Sequence, residues 1–269
     1  MIVVDRNETA SVHTDEPPSR LNVRDVTLSY GSTVAAKDLT FDIRPAEFLS
    51  LIGPSGCGKS TALRAMGGLL TPDRGEVTLD GTPIAGPRPG DISFVFQDLA
   101  LYPWRTAVRN VEIALQFAGI GRAERRDRSR AALAAVGLGD VPDKFPHELS
   151  GGMKQRVAIA RALVSEAPML LLDEPFAALD ELSRFRIGEQ LVRLLEEQGK
   201  TVVFVTHNLS EAVFLSDRVL VMTPRPATIK EIVTVDLERP RRPELMRTPR
   251  FHELTDRLSA LLLETEGGT

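Results

Sequence analysis

The chain has 269 residues, 42% of them hydrophobic and 26% charged. These proportions exclude a disordered or fibrous chain and suffice for one large domain or two small ones. Its 33 basic and 37 acidic residues leave a formal charge of −4, which argues against a dedicated nucleic-acid binder. Cys57, the single cysteine, excludes an intramolecular disulfide and favours a reducing compartment. The longest apolar run, 131–136, is far short of the roughly 20 residues of a spanning helix. Asp5, Arg6 and Glu8 follow Met1 too closely for a secretory signal. Any membrane role is therefore expected through a partner.

Residues 1–20 are polar, contain Pro17 and Pro18, and read as a mobile leader. Val23, Val26, Leu28 and Tyr30, then Leu39, Phe41 and Ile43, alternate with polar residues as on half-buried strands. An apolar strand over 48–52 runs into a glycine-rich loop, and 61–70 reads as a helix stopped by Thr71-Pro72-Asp73-Arg74-Gly75. Short strands are expected at 76–79 and 92–96, and amphipathic helices at 108–118 and 122–136. Further strands at 169–172, 202–205 and 219–222, with a helix over 181–197, restore an α/β texture. They imply a parallel sheet covered on both faces. A Pro/Arg-rich connector, 238–250, leads to a last amphipathic helix at 251–263.

Gly53-Pro54-Ser55-Gly56-Cys57-Gly58-Lys59-Ser60-Thr61 matches the pattern G-x-x-x-x-G-K-S/T, after an apolar strand and opening a helix. Glycines let successive backbone N–H groups face one anion. Lys59 adds a cation for the outer phosphates, Ser60 a hydroxyl suited to magnesium, and the helix start about half a positive elementary charge. A point charge at ~4 Å is worth about 4 kcal/mol at an effective dielectric near 20, against at most ~2 for a helix end. Loss of Lys59 is therefore expected to outweigh any single glycine-to-alanine change that spares the loop shape. Cys57 fills a variable slot and is read as a small residue that fits there.

The apolar strand Met169-Leu170-Leu171-Leu172 delivers Asp173 and Glu174 at its carboxyl end. Strand alternation points the two side chains in different directions, so Asp173 suits a magnesium ion and Glu174 the polarisation of an attacking water. Val202-Val203-Phe204-Val205-Thr206 likewise delivers His207, read as a γ-phosphate contact, and strand 92–96 delivers Gln97, read as a magnesium and water sensor. Ligands of open α/β sheets collect along that edge.

Leu149-Ser150-Gly151-Gly152-Met153-Lys154-Gln155-Arg156, upstream of Asp173, resembles the signature of ATP-binding cassette (ABC) ATPases. The resemblance covers roughly residues 21–235. It makes 53–61 the Walker A loop, Gln97 the Q-loop, 169–174 Walker B, Ala177-Ala178-Leu179-Asp180 the D-loop and His207 the switch histidine. It also makes Tyr30 the aromatic that stacks on adenine. The fold it implies is α/β, a P-loop NTPase cassette with an antiparallel β subdomain, a mainly parallel core sheet and an inserted helical subdomain. The core would comprise 21–97 and 166–235, the helical subdomain 98–165, and the connector with the last helix 236–269. Activity follows by the same resemblance: ATP and Mg2+ bound, ATP hydrolysed. Ser150, Gly151 and Gly152 of one copy, with Asp180 nearby, would complete the nucleotide site of a second copy in a head-to-tail dimer. Met153 departs from the family's usual Gln. Ser150 is still able to cap the following helix, but Met153 cannot return a capping-box hydrogen bond.

Two classes of machine share such motifs. A soluble ABC-type ATPase acting on nucleic acid would hold a long coiled coil between Q-loop and signature, where this chain has only 51 residues, 98–148. One acting on the ribosome would carry two cassettes. The transport reading is favoured: a peripheral subunit on the cytoplasmic face of the membrane, paired with two permease subunits and, indirectly, a periplasmic or extracellular solute-binding protein. The segment Asp98-Leu99-Ala100-Leu101-Tyr102-Pro103-Trp104-Arg105-Thr106 resembles the docking region of the nitrate/sulfonate/taurine importer group. So do Glu211-Ala212-Val213-Phe214-Leu215-Ser216-Asp217-Arg218-Val219 and Arg239-Pro240-Arg241-Arg242. Five arginines within 122–130 and five within 239–250 read as solvated faces and linkers.

Overall fold

The computed structural model describes residues 19–266. Most of the expected leader, 1–18, lies outside the described residues. Strands β1 (Leu21–Tyr30) and β2 (Thr33–Ile43) form an antiparallel hairpin, with Leu21 opposite Ile43 and Tyr30 opposite Thr33. Its turn passes through Gly31 at φ +58°. Next come β3 (Phe48–Ile52), α1 (Lys59–Met66), β4 (Arg74–Leu79), β5 (Thr82–Pro83) and β6 (Ile92–Val95). β4 pairs with β1 on the side away from β2, and β5 pairs with β4, giving the four-stranded antiparallel sheet β2-β1-β4-β5.

Three helices follow: α2 (Ala107–Phe117), α3 (Arg122–Ala135) and α4 (Gly151–Leu163). The chain then returns through β7 (Met169–Asp173), α5 (Glu181–Glu197), β8 (Thr201–Val205), α6 (Leu209–Leu215), β9 (Arg218–Met222), β10 (Ile229–Thr234) and α7 (Pro249–Glu266). The second sheet has the order β10-β9-β3-β8-β7-β6; every pairing is parallel except the edge pair β9 and β10. The expected α/β architecture is thus observed.

Strand periodicity explains how one sheet serves two cores. Leu170 and Leu172 of β7, with Val202 and Phe204 of β8, join the apolar cluster beneath the helices. Met169 and Leu171, with Val203 and Val205, join the other cluster, between this sheet, α1 and the antiparallel sheet. Both faces are covered, so 169–172 of β7 and 202–205 of β8 are apolar in unbroken runs instead of at alternate positions.

Several expected bounds are corrected. The helix expected over 61–70 starts at Lys59 and ends at Met66, because Gly68 takes φ +70° and a Cβ there would lie 2.3 Å from the Gly86 carbonyl oxygen. The expected connector 238–250 carries a short 3-10 turn (Pro243–Arg247), and its arginines are not simple linker residues. Arg239 pairs with Glu196 and Asp217, and Arg241 is 5% exposed with a guanidinium N–H donated to the Ser216 carbonyl at 2.9 Å. Burial pushes the Arg241 guanidinium down to about 10. Among the described residues no helix is long and apolar enough to cross a membrane.

Candidate nucleotide site

Because the central strands run parallel, β3, β6, β7, β8 and β9 end on one edge, and each hands a loop to the same place. β3 hands over the 53–58 loop and α1. Gly58, the N-cap of α1, has φ +123°, and a Cβ there would stand 3.0 Å from the Ala35 carbonyl oxygen, so both conformation and space require glycine. No side chain caps α1, so its first N–H groups are left for an anion at the helix start. Lys59, 6% exposed, donates from Nζ to the Gly53 and Pro54 carbonyls at 2.8 and 2.9 Å, which fixes the ammonium across the loop. Cys57 is buried against it, Sγ 3.9 Å from Lys59 Nζ, and burial pushes its thiol up, so it stays a packed thiol.

A cavity of about 520 Å3 opens here. Ser55, Gly56, Gly58, Lys59, Ser60 and Thr61 form its loop side; Gln97, Glu174 and His207 line it from β6, β7 and β8. Ser60 Oγ donates to Asp173 Oδ1 at 2.9 Å behind the cavity. Burial raises the Asp173 carboxyl above its ordinary range, a shift that the Ser60 hydrogen bond opposes. A cation beside this carboxylate would offset the cost of burying its charge. The neighbouring donors are hard oxygens, and among the described residues no group of three or more His, Cys, Asp or Glu could hold a metal by itself. That donor set fits a magnesium ion, which takes one or two carboxylates and completes its octahedral shell with other oxygens, from hydroxyl or amide groups, phosphates and water.

Asp173 and Glu174 have different surroundings, although not through strand alternation. β7 ends at Asp173, and Glu174 turns out of the strand at φ +46°. Such a backbone costs on the order of 1–3 kcal/mol for a non-glycine residue and persists only when its surroundings fix it. Here the Glu174 N–H donates to the Val205 carbonyl at 3.0 Å, and its own carbonyl accepts from Gln155 Nε2 at 3.0 Å. The carboxylate so aimed has Oε2 3.6 Å from His207 Nδ1.

The remaining expected residues lie apart from this cavity. Tyr30, 48% exposed, ends β1. Ser150 caps α4 by accepting from the Met153 N–H at 3.3 Å, as its position before the glycines predicted; Gly151 and Gly152 form the first turn. Asp180 caps α5 by accepting from the Ser183 N–H at 2.9 Å. Two contributors went unread in the sequence. Gln155 holds the Glu174 carbonyl and accepts from the Ala178 N–H at 2.7 Å, so α4 is keyed to both the Walker B end and the D-loop. Its place within the signature run was the available signal. Arg225 also lines the cavity, and no local pattern marks it.

A family model described as ABC transporter matches residues 36–177. The nitrate import ATP-binding protein NrtC of Synechococcus elongatus is 48% identical over 232 residues, 85% of this chain and 35% of that protein. The taurine import ATP-binding protein TauB of Rhizobium johnstonii is 44% identical over 245 residues, 88% of this chain and 92% of that protein. Among solved structures, the dimeric post-hydrolysis state of the ATP-binding cassette MJ0796 bound to ADP and Pi aligns with a TM-score of 0.74. That alignment has 35% identity and covers 81% of this chain and 100% of that one. A phosphate-binding loop, two carboxylates and a histidine gathered at one sheet edge agree with these likenesses: the chain belongs to the ABC transporter ATP-binding family and is an ATPase of that cassette type.

Proposed function

We propose that this chain energises the import of a small anionic or organic solute of the nitrate, sulfonate or taurine kind, as a peripheral subunit on the cytoplasmic face of the membrane. The likeness to NrtC and TauB supports the solute class. The core would be 21–97 with 166–235, the helical subdomain 98–165, and 236–269 an appended segment. Two copies close head to tail on ATP and pass the movement to two permease subunits. The observation that carries this reading is that Lys59, Ser60, Gln97, Glu174 and His207 line one cavity while Ser150, Gly151 and Gly152 do not. One copy thus lacks a serine–glycine helix tip at its own phosphates, and a second copy has one to offer.

In this reading the 53–58 amides and Lys59 bind the phosphates, and Tyr30 stacks on adenine. Glu174, its backbone fixed by Gln155 and Val205, takes a proton from the attacking water. His207 and Gln97 orient the γ-phosphate side. Ser60, Asp173 and Gln97 would hold a magnesium ion, directly or through water, and the ion would supply neutralisation of the phosphate charge. Trp104, 70% exposed and edge-on to Tyr102 with ring centroids 5.6 Å apart, is displayed at the surface instead of packed in the core, which suits the docking role.

Deleting the gene is expected to abolish uptake of labelled nitrate, taurine or an alkanesulfonate. Wild type should restore it and Glu174→Gln should not. Unchanged uptake of all three in the deletion strain would refute the solute class, and absence of Mg2+-dependent phosphate release by the purified chain would refute the chemistry.

A further inference from the structure

Beyond the motif residues, one cation of the nucleotide cavity comes from a segment outside the matched 36–177 region. β9 ends at Met222 and a turn over 223–228 follows. The Thr223 N–H donates to the Thr228 carbonyl at 3.0 Å, and the Thr228 N–H donates back to Thr223 Oγ1 at 2.9 Å. The turn is also stitched to β2: the Ala227 N–H donates to the Ala35 carbonyl at 3.0 Å and the Lys37 N–H to the Ala227 carbonyl at 2.8 Å. The Ala35 carbonyl is also the group that a Cβ at Gly58 would meet at 3.0 Å. Turn and β2 are thus hydrogen-bonded together beside the phosphate loop.

Arg225 stands at the tip of that turn between Pro224 and Pro226, whose rings fix φ and reduce the entropy lost on presenting it. From there Nη2 donates to the Gly56 carbonyl at 2.7 Å. A guanidinium carries five N–H donors, and among the described residues Arg225 makes no other hydrogen bond and no ion pair. The side chain is exposed to the cavity it shares with Lys59 and Ser60. A triphosphate also brings more negative charge than the Lys59 ammonium neutralises.

We propose that Arg225 is a second phosphate-binding cation of this site, clamped to the loop through Gly56 and giving its remaining N–H groups to the nucleotide's phosphate oxygens. The proposal rests on the cavity being the triphosphate site.

The test is calorimetric titration of the full chain with ATP and MgCl2 over a series of sodium chloride concentrations, for wild type, Arg225→Ala, Arg225→Met and Arg225→Lys. Arg225→Ala and Arg225→Met are expected to weaken ATP about tenfold, as for loss of one charge-assisted hydrogen bond. Their dependence of log Kd on log salt should be shallower than that of wild type, and Arg225→Lys should recover most of the affinity. Thermal midpoints without nucleotide should not move, since the side chain is exposed. Unchanged ATP affinity in Arg225→Ala overturns the proposal. So does a weakened affinity with an unchanged salt slope, which would make Arg225 a splint for the loop alone. Failure of wild type to bind ATP removes the triphosphate reading itself, and the two failures are thereby distinguished.

Discussion

Lys200 is a buried ammonium group with no carboxylate within ion-pairing distance among the described residues. It donates instead to the Ser165 carbonyl at 2.5 Å and the Ala167 carbonyl at 2.9 Å, tying the link between α5 and β8 to the link between α4 and β7. α4 starts at the Ser150 cap with Gly151 and Gly152, and β7 ends in Asp173. Burial pulls its value down from the ordinary lysine range to about 8. Below about 8 the folded state bears a buried charge. Between there and the ordinary value the unfolded chain binds the extra proton, so stability rises with pH. The slope from one such group is at most about 1.4 kcal/mol per pH unit. Urea unfolding of wild type should therefore show stability rising as pH goes from 8 towards 10 relative to Lys200→Met, in which this contribution is gone. Parallel pH profiles would show that the two carbonyls hold the ammonium charged throughout. Glu174 makes a different point about single residues: its left-handed backbone is an expense met by two hydrogen bonds, and it frees the carboxylate from the strand's own direction.

At the scale of elements, α7 is held by one apolar stripe. Phe251, Leu254, Leu258 and Leu261 recur at helical spacing and are buried against the β9–β10 edge and α6. Leu258 is fully buried, so Leu258→Ala should cost about 2–5 kcal/mol. Urea denaturation would show it as a lower midpoint with an unchanged m-value, and ATP affinity at low temperature should stay at the wild-type level because α7 contributes nothing to the cavity. The stripe was readable in the sequence because it is local and periodic, as were β3, β7, β8 and the bounds of α5. β10 was not: its pattern of partly exposed residues declares no face, and only its antiparallel pairing with β9 makes it a strand. α6, seven residues long, was seen only as part of a family-like run. The site divides the same way. Lys59, Asp173, Glu174 and His207 sit in contiguous motifs at strand ends. Gln155, Arg225 and Arg241 act through partners 19, 169 and 25 residues away, and such contacts leave no periodicity to read. Arg161 belongs with them: it donates to the Leu99 and Ala100 carbonyls, 2.8 Å each, tying α4 to the segment that displays Trp104.

For the whole molecule, the decisive fact is what one copy leaves undone. α4 ends in a serine-capped, glycine-opened N-terminus, which is favourable for an anion, yet Ser150 and its glycines do not line the chain's own cavity. If ATP joins two copies, the loop of one and the tip of the other act as a composite, and defects in them should complement between chains. In a Glu174→Gln background that stops hydrolysis, Ser150→Arg should bind ATP as wild type does but remain monomeric on a sizing column. Lys59→Ala should also remain monomeric, because it cannot hold the nucleotide. Mixed, the two variants retain one intact composite site, the phosphate loop of the Ser150→Arg copy facing the serine–glycine tip of the Lys59→Ala copy. The mixture should therefore form an ATP-dependent dimer with half the bound nucleotide of the Glu174→Gln homodimer. A Ser150→Arg chain that dimerises alone would show that the tip is dispensable. A mixture that stays monomeric would show that one composite site cannot hold two chains together, or that the copies do not meet loop to tip at all. Cross-linking a cysteine placed at Ser150 to one at Ser55 in the partner would separate those two results, since only the head-to-tail arrangement brings them within reach.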